Sequence, residues 1–163
     1  MRPAYEKIVP RNELQAVAEE LRANSKRIVF ANGCFDILHV GHIRYLQGAR
    51  AEGDALIVGV NADSSVCGLK GPGRPILDEQ ARALLVAALR SVDYVVIFSE
   101  PNVESLLQEI RPDVHAKGTD YTEQTVPERA VADRLGIRVA IVGDPKNHST
   151  RGLLQTVRRA PNG

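Results

Sequence analysis

The stretch Ile28-Val29-Phe30-Ala31-Asn32-Gly33-Cys34-Phe35-Asp36-Ile37-Leu38-His39-Val40-Gly41-His42 decides how this chain is read. An apolar, strand-like run breaks at Gly33, and residues 44–50 beyond it have helical character. His39 and His42 therefore stand where a helix begins. Unpaired backbone N–H groups and the positive end of the helix dipole make such a place attractive to phosphate, and two imidazoles add directional donors.

Outward from this stretch, strands are expected at 27–32, 55–60, 94–98, 113–116 and 137–142. Helices are expected at 12–23, 41–52, 78–90, 103–110, 127–135 and 149–158. Strands alternating with helices indicate an α/β fold, a Rossmann-like open parallel five-stranded sheet with helices on both faces. The unbroken apolar run Ala55-Leu56-Ile57-Val58-Gly59-Val60 suits a parallel strand covered on both sides.

Leu14, Val17, Ala18 and Leu21 recur at helical spacing, so residues 1–25 read as an N-terminal extension whose helix packs on a domain formed by 26–163. Asp78 is a plausible N-cap for a helix with Leu84, Leu85, Ala88 and Leu89 on its buried side. Between 61 and 78, the glycine- and proline-bearing segment Cys67-Gly68-Leu69-Lys70-Gly71-Pro72-Gly73-Arg74-Pro75 reads as a mobile loop carrying two cations. The last residues, 160–163, are expected to fray.

With 163 residues the chain fits one domain able to bury a core without staples. Its 21 Lys and Arg nearly balance 20 Asp and Glu, which leaves no electrostatic footprint of a nucleic-acid binder. Anion binding must then be local. Cys34 and Cys67 show neither a CxxC spacing nor a metal-ligand cluster, which suits a reducing cytoplasm. No apolar run approaches the ~20 residues of a membrane span, so a soluble cytoplasmic protein without membrane partners is expected.

In an open parallel sheet, ligands bind beyond the carboxyl ends of the strands. The candidate residues all follow strands: His39 and His42 the first, Lys70 and Arg74 the second, Lys117 and Asp120 the fourth, Ser149 and Thr150 the fifth. Convergence of four segments on one rim is the strongest argument from the residues themselves.

The run from Asn32 to His42 resembles the signature of the HxGH nucleotidyltransferases, which include cytidylyltransferases and adenylyltransferases. Within that superfamily, from about Lys26 to the C-terminal helix, the chain looks most like the bacterial D-glycero-β-D-manno-heptose 1-phosphate adenylyltransferases, free-standing or fused to a kinase. The resemblance implies the nucleotidyltransferase fold and transfer of AMP from ATP, with Mg²⁺, to a sugar 1-phosphate. The products would be ADP-heptose and pyrophosphate, for lipopolysaccharide or glycan synthesis. It also implies a homo-oligomer, and a separate sugar kinase as supplier of the acceptor.

By the same resemblance, His39 and His42 hold ATP phosphates and the transition state, and Lys70 neutralises charge at the reacting phosphoryl group. Arg74 would be a second, substrate-side cation; the alternative for both cations is a solvated loop. Asn32, Gly33 and Phe35 would lie beside the phosphates with Gly41, Gly33 serving either positive φ or close approach. Asp36 reads either as a metal or substrate contact or as a local hydrogen-bond acceptor that orders the loop. Lys117-Gly118-Thr119-Asp120-Tyr121 resembles the family's Lys-Gly-x-Asp-Tyr, with Lys117 and Gly118 on the nucleotide and Asp120 on the acceptor; a simple turn is the alternative.

Asn147-His148-Ser149-Thr150 looks like the family's Ser-Thr entry to the C-terminal helix, where hydroxyls and N–H groups bind ATP, although Ser149 could equally be only an N-cap. The chain departs from the family pattern at Arg151, Cys67 and His115, where a small hydroxyl residue, an arginine and an apolar residue are usual. Rival readings are a sister transferase acting on glycerol 3-phosphate, ethanolamine phosphate or another phosphorylated acceptor, with CTP or ATP, and a non-catalytic nucleotide sensor. A dinucleotide-dependent oxidoreductase lacks its Gly-x-Gly-x-x-Gly after the first strand.

Overall fold

The computed structural model describes residues 1–145 and 149–160. Strands β1 (Ile28–Gly33), β2 (Ala55–Asn61), β3 (Tyr94–Phe98), β4 (Val114–Gly118) and β5 (Arg138–Val142) form one all-parallel sheet in the order β3-β2-β1-β4-β5. The helices are α1 (Leu14–Ala23), α2 (Val40–Arg50), α3 (Asp63–Lys70), α4 (Glu79–Ala87), α5 (Glu104–Ile110), α6 (Arg129–Leu135) and α7 (Thr150–Arg159). Pairing runs outward from β1 through β2 to β3, then resumes on the other side of β1 with β4. The switch point lies between β1 and β4, where a parallel sheet opens a crevice.

Two apolar layers flank the sheet. One joins Val29, Ala31, Val58 and Val60 to Leu46 and Ala49 of α2 and to Ala83, Val86 and Ala87 of α4. The other joins Phe30, Ile57 and Val96 to Leu14 and Ala18 of α1, Leu106, Leu107 and Ile110 of α5, and Ala132 of α6. β2 is buried at every position, as its unbroken apolarity requires. Gly59 in its middle permits this packing, because a Cβ there would lie 3.0 Å from the Phe30 ring and 3.2 Å from that of Phe98.

The N-terminal segment is sewn onto the outer edge of β3. Ile8 bridges Val95, the Val9 N–H donates to the Val95 carbonyl at 2.7 Å, and the buried Lys7 ammonium donates to the Leu89 and Val92 carbonyls. This covers an edge that would otherwise offer unpaired backbone groups. Arg11 adds ion pairs to Glu100 and Glu109, next to the packing of α1 on α5.

Three expectations need correction. The segment after β2 is half helix: Asp63 enters α3, Val66 is its buried anchor, and the chain leaves at Gly71, whose φ of 89° no other residue type adopts cheaply. Lys70 is thus the last residue of a helix. Second, Leu84 and Leu85 of α4 are exposed, 46% and 43%, Ala88 is exposed as well, and the buried face is Arg82, Ala83, Val86 and Ala87. The helix carries apolar residues on more than one side, and its capping, with the Ala81 N–H on Asp78, leaves the choice of side to the packing. Third, Lys117 and Gly118 belong to β4, held by pairing with Ile141 and Val142. The expected fraying of 160–163 falls, for 161–163, outside the described residues.

Candidate active site

At the end of β1 the chain makes a strained turn. The positive φ falls on Phe35, at 49°, and not on Gly33. The buried Phe35 ring folds back so closely that a Cβ on Gly33 would lie 3.1 Å from it. Close approach is therefore what glycine supplies there. The same ring lies 5.3 Å from that of His42, and His42 stacks on His39 at 3.9 Å between centroids. His39 is the N-cap of α2, and its N–H donates to His42 Nδ1 at 3.3 Å. With Nδ1 accepting, the neutral His42 ring carries its proton on Nε2, as a donor.

Tyr45, which the sequence did not single out, braces this arrangement: its hydroxyl donates to the Ala116 carbonyl of β4 at 2.8 Å. Burial pushes its pKa well up, so the phenol stays a donor. Gly143 beyond β5, at φ 92°, lets α2 come close; a Cβ there would lie 3.3 Å from Tyr45 Cα.

A cleft of about 1130 Å³ opens over this point. Asn32, Gly33, Phe35, His39, Gly41 and His42 line it from the β1–α2 side, Lys70 and Arg74 from the α3 side. Lys117, Gly118 and Asp120 reach it from β4, Ser149 and Thr150 from α7. Of the candidates, Asp36 alone stays out. Its carboxylate is 2% exposed and is consumed by Arg74 Nε at 2.6 Å and by the N–H groups of Ile76 and Leu77. Burial alone would raise its pKa, but these three donors outweigh it and hold the group below the usual carboxylate range. Between the two readings of Asp36, the geometry selects the loop-ordering one.

The cations of the cleft are not equivalent. Arg44 pairs with Asp144 at 3.0 Å, Arg74 with Asp36, and the buried Lys117 with the buried Glu128 at 3.7 Å and the Tyr121 ring at 4.7 Å. Burial lowers the Lys117 pKa and Glu128 recovers part of the loss. Among the described residues, Lys70 and Arg151 line the cleft with no acid at ion-pair distance. They are the cations most available to an incoming anion.

Ser149 is the N-cap of α7, accepting from the Gly152 N–H at 3.0 Å, and the Thr150 hydroxyl donates to the Ile37 carbonyl. Among the described residues no group accepts the Ser149 hydroxyl proton. The Asn147 and His148 of the same motif lie outside the described residues. Gly118 is not forced by the backbone: a Cβ there meets no atom of the described residues within 4 Å, so a side chain would take up cleft space instead.

Arg82 is the second residue that sequence reading missed. Fully buried, it donates to the carbonyls of Leu77, Cys34 and Asn61 and pairs with Asp63 at 2.7 Å. One guanidinium thus ties the β1 turn, the end of β2, the start of α3 and the entry to α4, which sets the spacing between the histidines and Lys70. An arginine beside the small residues of the packed face was the available signal.

His39, His42, Lys70 and Arg151 give the cleft directional donors and positive charge; of the described residues, Cys34 also lines it, but burial pushes its thiol up and away from the thiolate a nucleophile needs. Such a set suits binding and realigning phosphates more than forming a covalent intermediate. A scan of family models matches residues 30–155 to the description "Cytidylyltransferase-like". Curated relatives include the bifunctional protein HldE of Syntrophotalea carbinolica, 44% identical over 93% of this chain, and that of Azotobacter vinelandii, 47% identical over 91%. The chain spans 31% of the length of each.

Among solved structures, the lipopolysaccharide core biosynthesis protein from Thermoplasma volcanium is 28% identical with a TM-score of 0.62, covering 74% of this chain and 99% of its own. A pantoate-beta-alanine ligase from Francisella tularensis, 18% identical with a TM-score of 0.61 over 89% of this chain and 69% of its own, shares the fold.

Proposed function

The chain belongs to the cytidylyltransferase-like family, and from that premise we propose that it transfers AMP from ATP to D-glycero-β-D-manno-heptose 1-phosphate. A phosphate oxygen of the sugar forms a bond to the α-phosphorus of ATP, the bond to the β-phosphate oxygen breaks in line, and pyrophosphate leaves. The carrying observation is the gathering of His39, His42 and Lys70, from separate segments, on one cleft at the switch point. The likeness to the HldE proteins over nine-tenths of the chain supports the sugar-phosphate acceptor.

Charge builds on the α-phosphoryl oxygens and on the departing pyrophosphate. In this reading, the His42 Nε2–H and the His39 ring meet the former and Lys70 the latter. Each such donor is worth about 3 kcal/mol at the transition state. Alignment of the two substrates supplies much of the rest. Among the described residues, no group of three His, Cys, Asp or Glu could cage a metal, and Asp36 is already engaged. Mg²⁺ is therefore assigned to the substrate, entering on the triphosphate with most of its waters.

The test is pyrophosphate release from ATP and from CTP against a panel of phosphorylated acceptors. Release with ATP and the heptose 1-phosphate is expected; turnover confined to CTP and glycerol 3-phosphate would replace this reading by the sister one. Self-association belongs to the same reading and is measured by sedimentation.

A further inference from the structure

His115 is the polar residue that a buried strand does not need. It sits in β4 directly opposite Phe30 of β1, stacked on that ring at 5.6 Å and fully buried. Its Nε2 lies 3.1 Å from the side-chain oxygen of Asn32, the residue of this pair that lines the cleft at the switch point. Its Nδ1 is buried and has no hydrogen-bond partner among the described residues.

These facts choose a tautomer and an amide orientation together. A neutral imidazole has one donor and one acceptor nitrogen. If Nε2 carried the lone pair and received the Asn32 amide, Nδ1–H would be an orphaned buried donor, the rarer and costlier defect. With Nε2–H donating to Asn32 Oδ1, the unpaired site is only a lone pair. Burial opposes a second proton on the ring, and Lys117, next but one along β4 and on the same face, adds to it. Once Oδ1 of Asn32 is held against His115, the other end of the planar carboxamide, its NH₂, is turned the opposite way.

We propose that His115 is a positioning residue that locks the Asn32 carboxamide with its NH₂ donors presented to the cleft, for the phosphate or base oxygens of the nucleotide. The nucleotide part of this rests on the function proposed above. An apolar residue at 115 would leave the carboxamide free to flip, and a flipped Asn32 offers an acceptor to an anion. The orientation of one donor at the site thus depends on a residue that touches no ligand.

The experiment is a double-mutant cycle on nucleotide KM and kcat with His115→Leu, His115→Gln and Asn32→Ala. His115→Leu is expected to raise the nucleotide KM five- to tenfold with little change for the acceptor. Gln, which can donate to Asn32, should restore it to within twofold. In the Asn32→Ala background, His115→Leu should have no further effect. Equal losses in both backgrounds, or equal losses in Leu and Gln, would overturn the proposal and leave a packing role.

If the parent binds neither ATP nor CTP by calorimetry, the proposed function fails and the lock is judged by ¹⁵N NMR at neutral pH. An Nε2-protonated His115 with distinct Asn32 amide protons, which average in His115→Leu, supports it. An Nδ1-protonated ring overturns it.

Discussion

The Arg74 guanidinium lies 2.6 Å from the Asp36 carboxylate, and both side chains are mostly buried, so a cation expected to face substrate is also the clasp of the segment after α3. Removing the acid leaves that cation and two amide donors without an acceptor. Asp36→Ala is expected to cost about 3 kcal/mol in urea unfolding at pH 7; a loss below about 1 kcal/mol would mean that the clasp does not hold the segment.

Lys70 reaches the cleft from the exposed end of α3 and has no acid beside it among the described residues. Little of the fold depends on it. Lys70→Ala should lower turnover at least a hundredfold while leaving the unfolding midpoint within a degree or two. Unchanged turnover would remove Lys70 from the mechanism.

His42→Ala removes a ring that stacks on His39 and meets Phe35. Pyrophosphate release should fall by two or more orders of magnitude. Were parent and variant to bind ATP alike and release equally negligible pyrophosphate, a nucleotide sensor would be the better reading.

Burial, with Lys117 adding to it, pushes the His115 pKa down to about 3. In the unfolded chain it returns to about 6.5. The unfolded state therefore binds a proton that the native ring refuses, and stability falls as pH drops from about 6.5 towards 3. The slope from this residue is at most about 1.4 kcal/mol per pH unit. Unfolding free energies at pH 7 and 5 should differ less in His115→Gln than in the parent; an identical difference would mean that the native ring takes up its proton as readily as the unfolded one.

Glu128 partly offsets the burial of Lys117. With Glu128→Gln, the native Lys117 should lose its proton more readily, while the unfolded lysine keeps it to about pH 10.4. The destabilisation, about 3 kcal/mol at pH 7, should therefore shrink as pH rises towards 10. A pH-independent loss would assign it to packing alone.

α4 and the 61–78 segment depart from expectation for two separate reasons. Leu84 and Leu85 are as apolar as Val86 and Ala87, so periodicity offered two faces, and the buried one was chosen by the fit of small side chains and Arg82 beneath β2 and β3. Glycines at 68, 71 and 73 looked like loop, yet the first lies inside α3 and needs no special φ; only the later two are at positive φ.

What the chain determined by itself was the order of elements, the parallel α/β sheet and the rim on which the motifs gather. Continuous apolar runs, helical spacing and breaks at glycine are local properties, and each strand delivers its following motif to the same end of the sheet. Tertiary structure alone decided which charges stay available. Asp36 and Arg74 are 38 residues apart, Asn32 and His115 83 apart. Whether a carboxylate meets a guanidinium or a ligand depends on what the fold brings within 3 Å, and no local pattern encodes that distance.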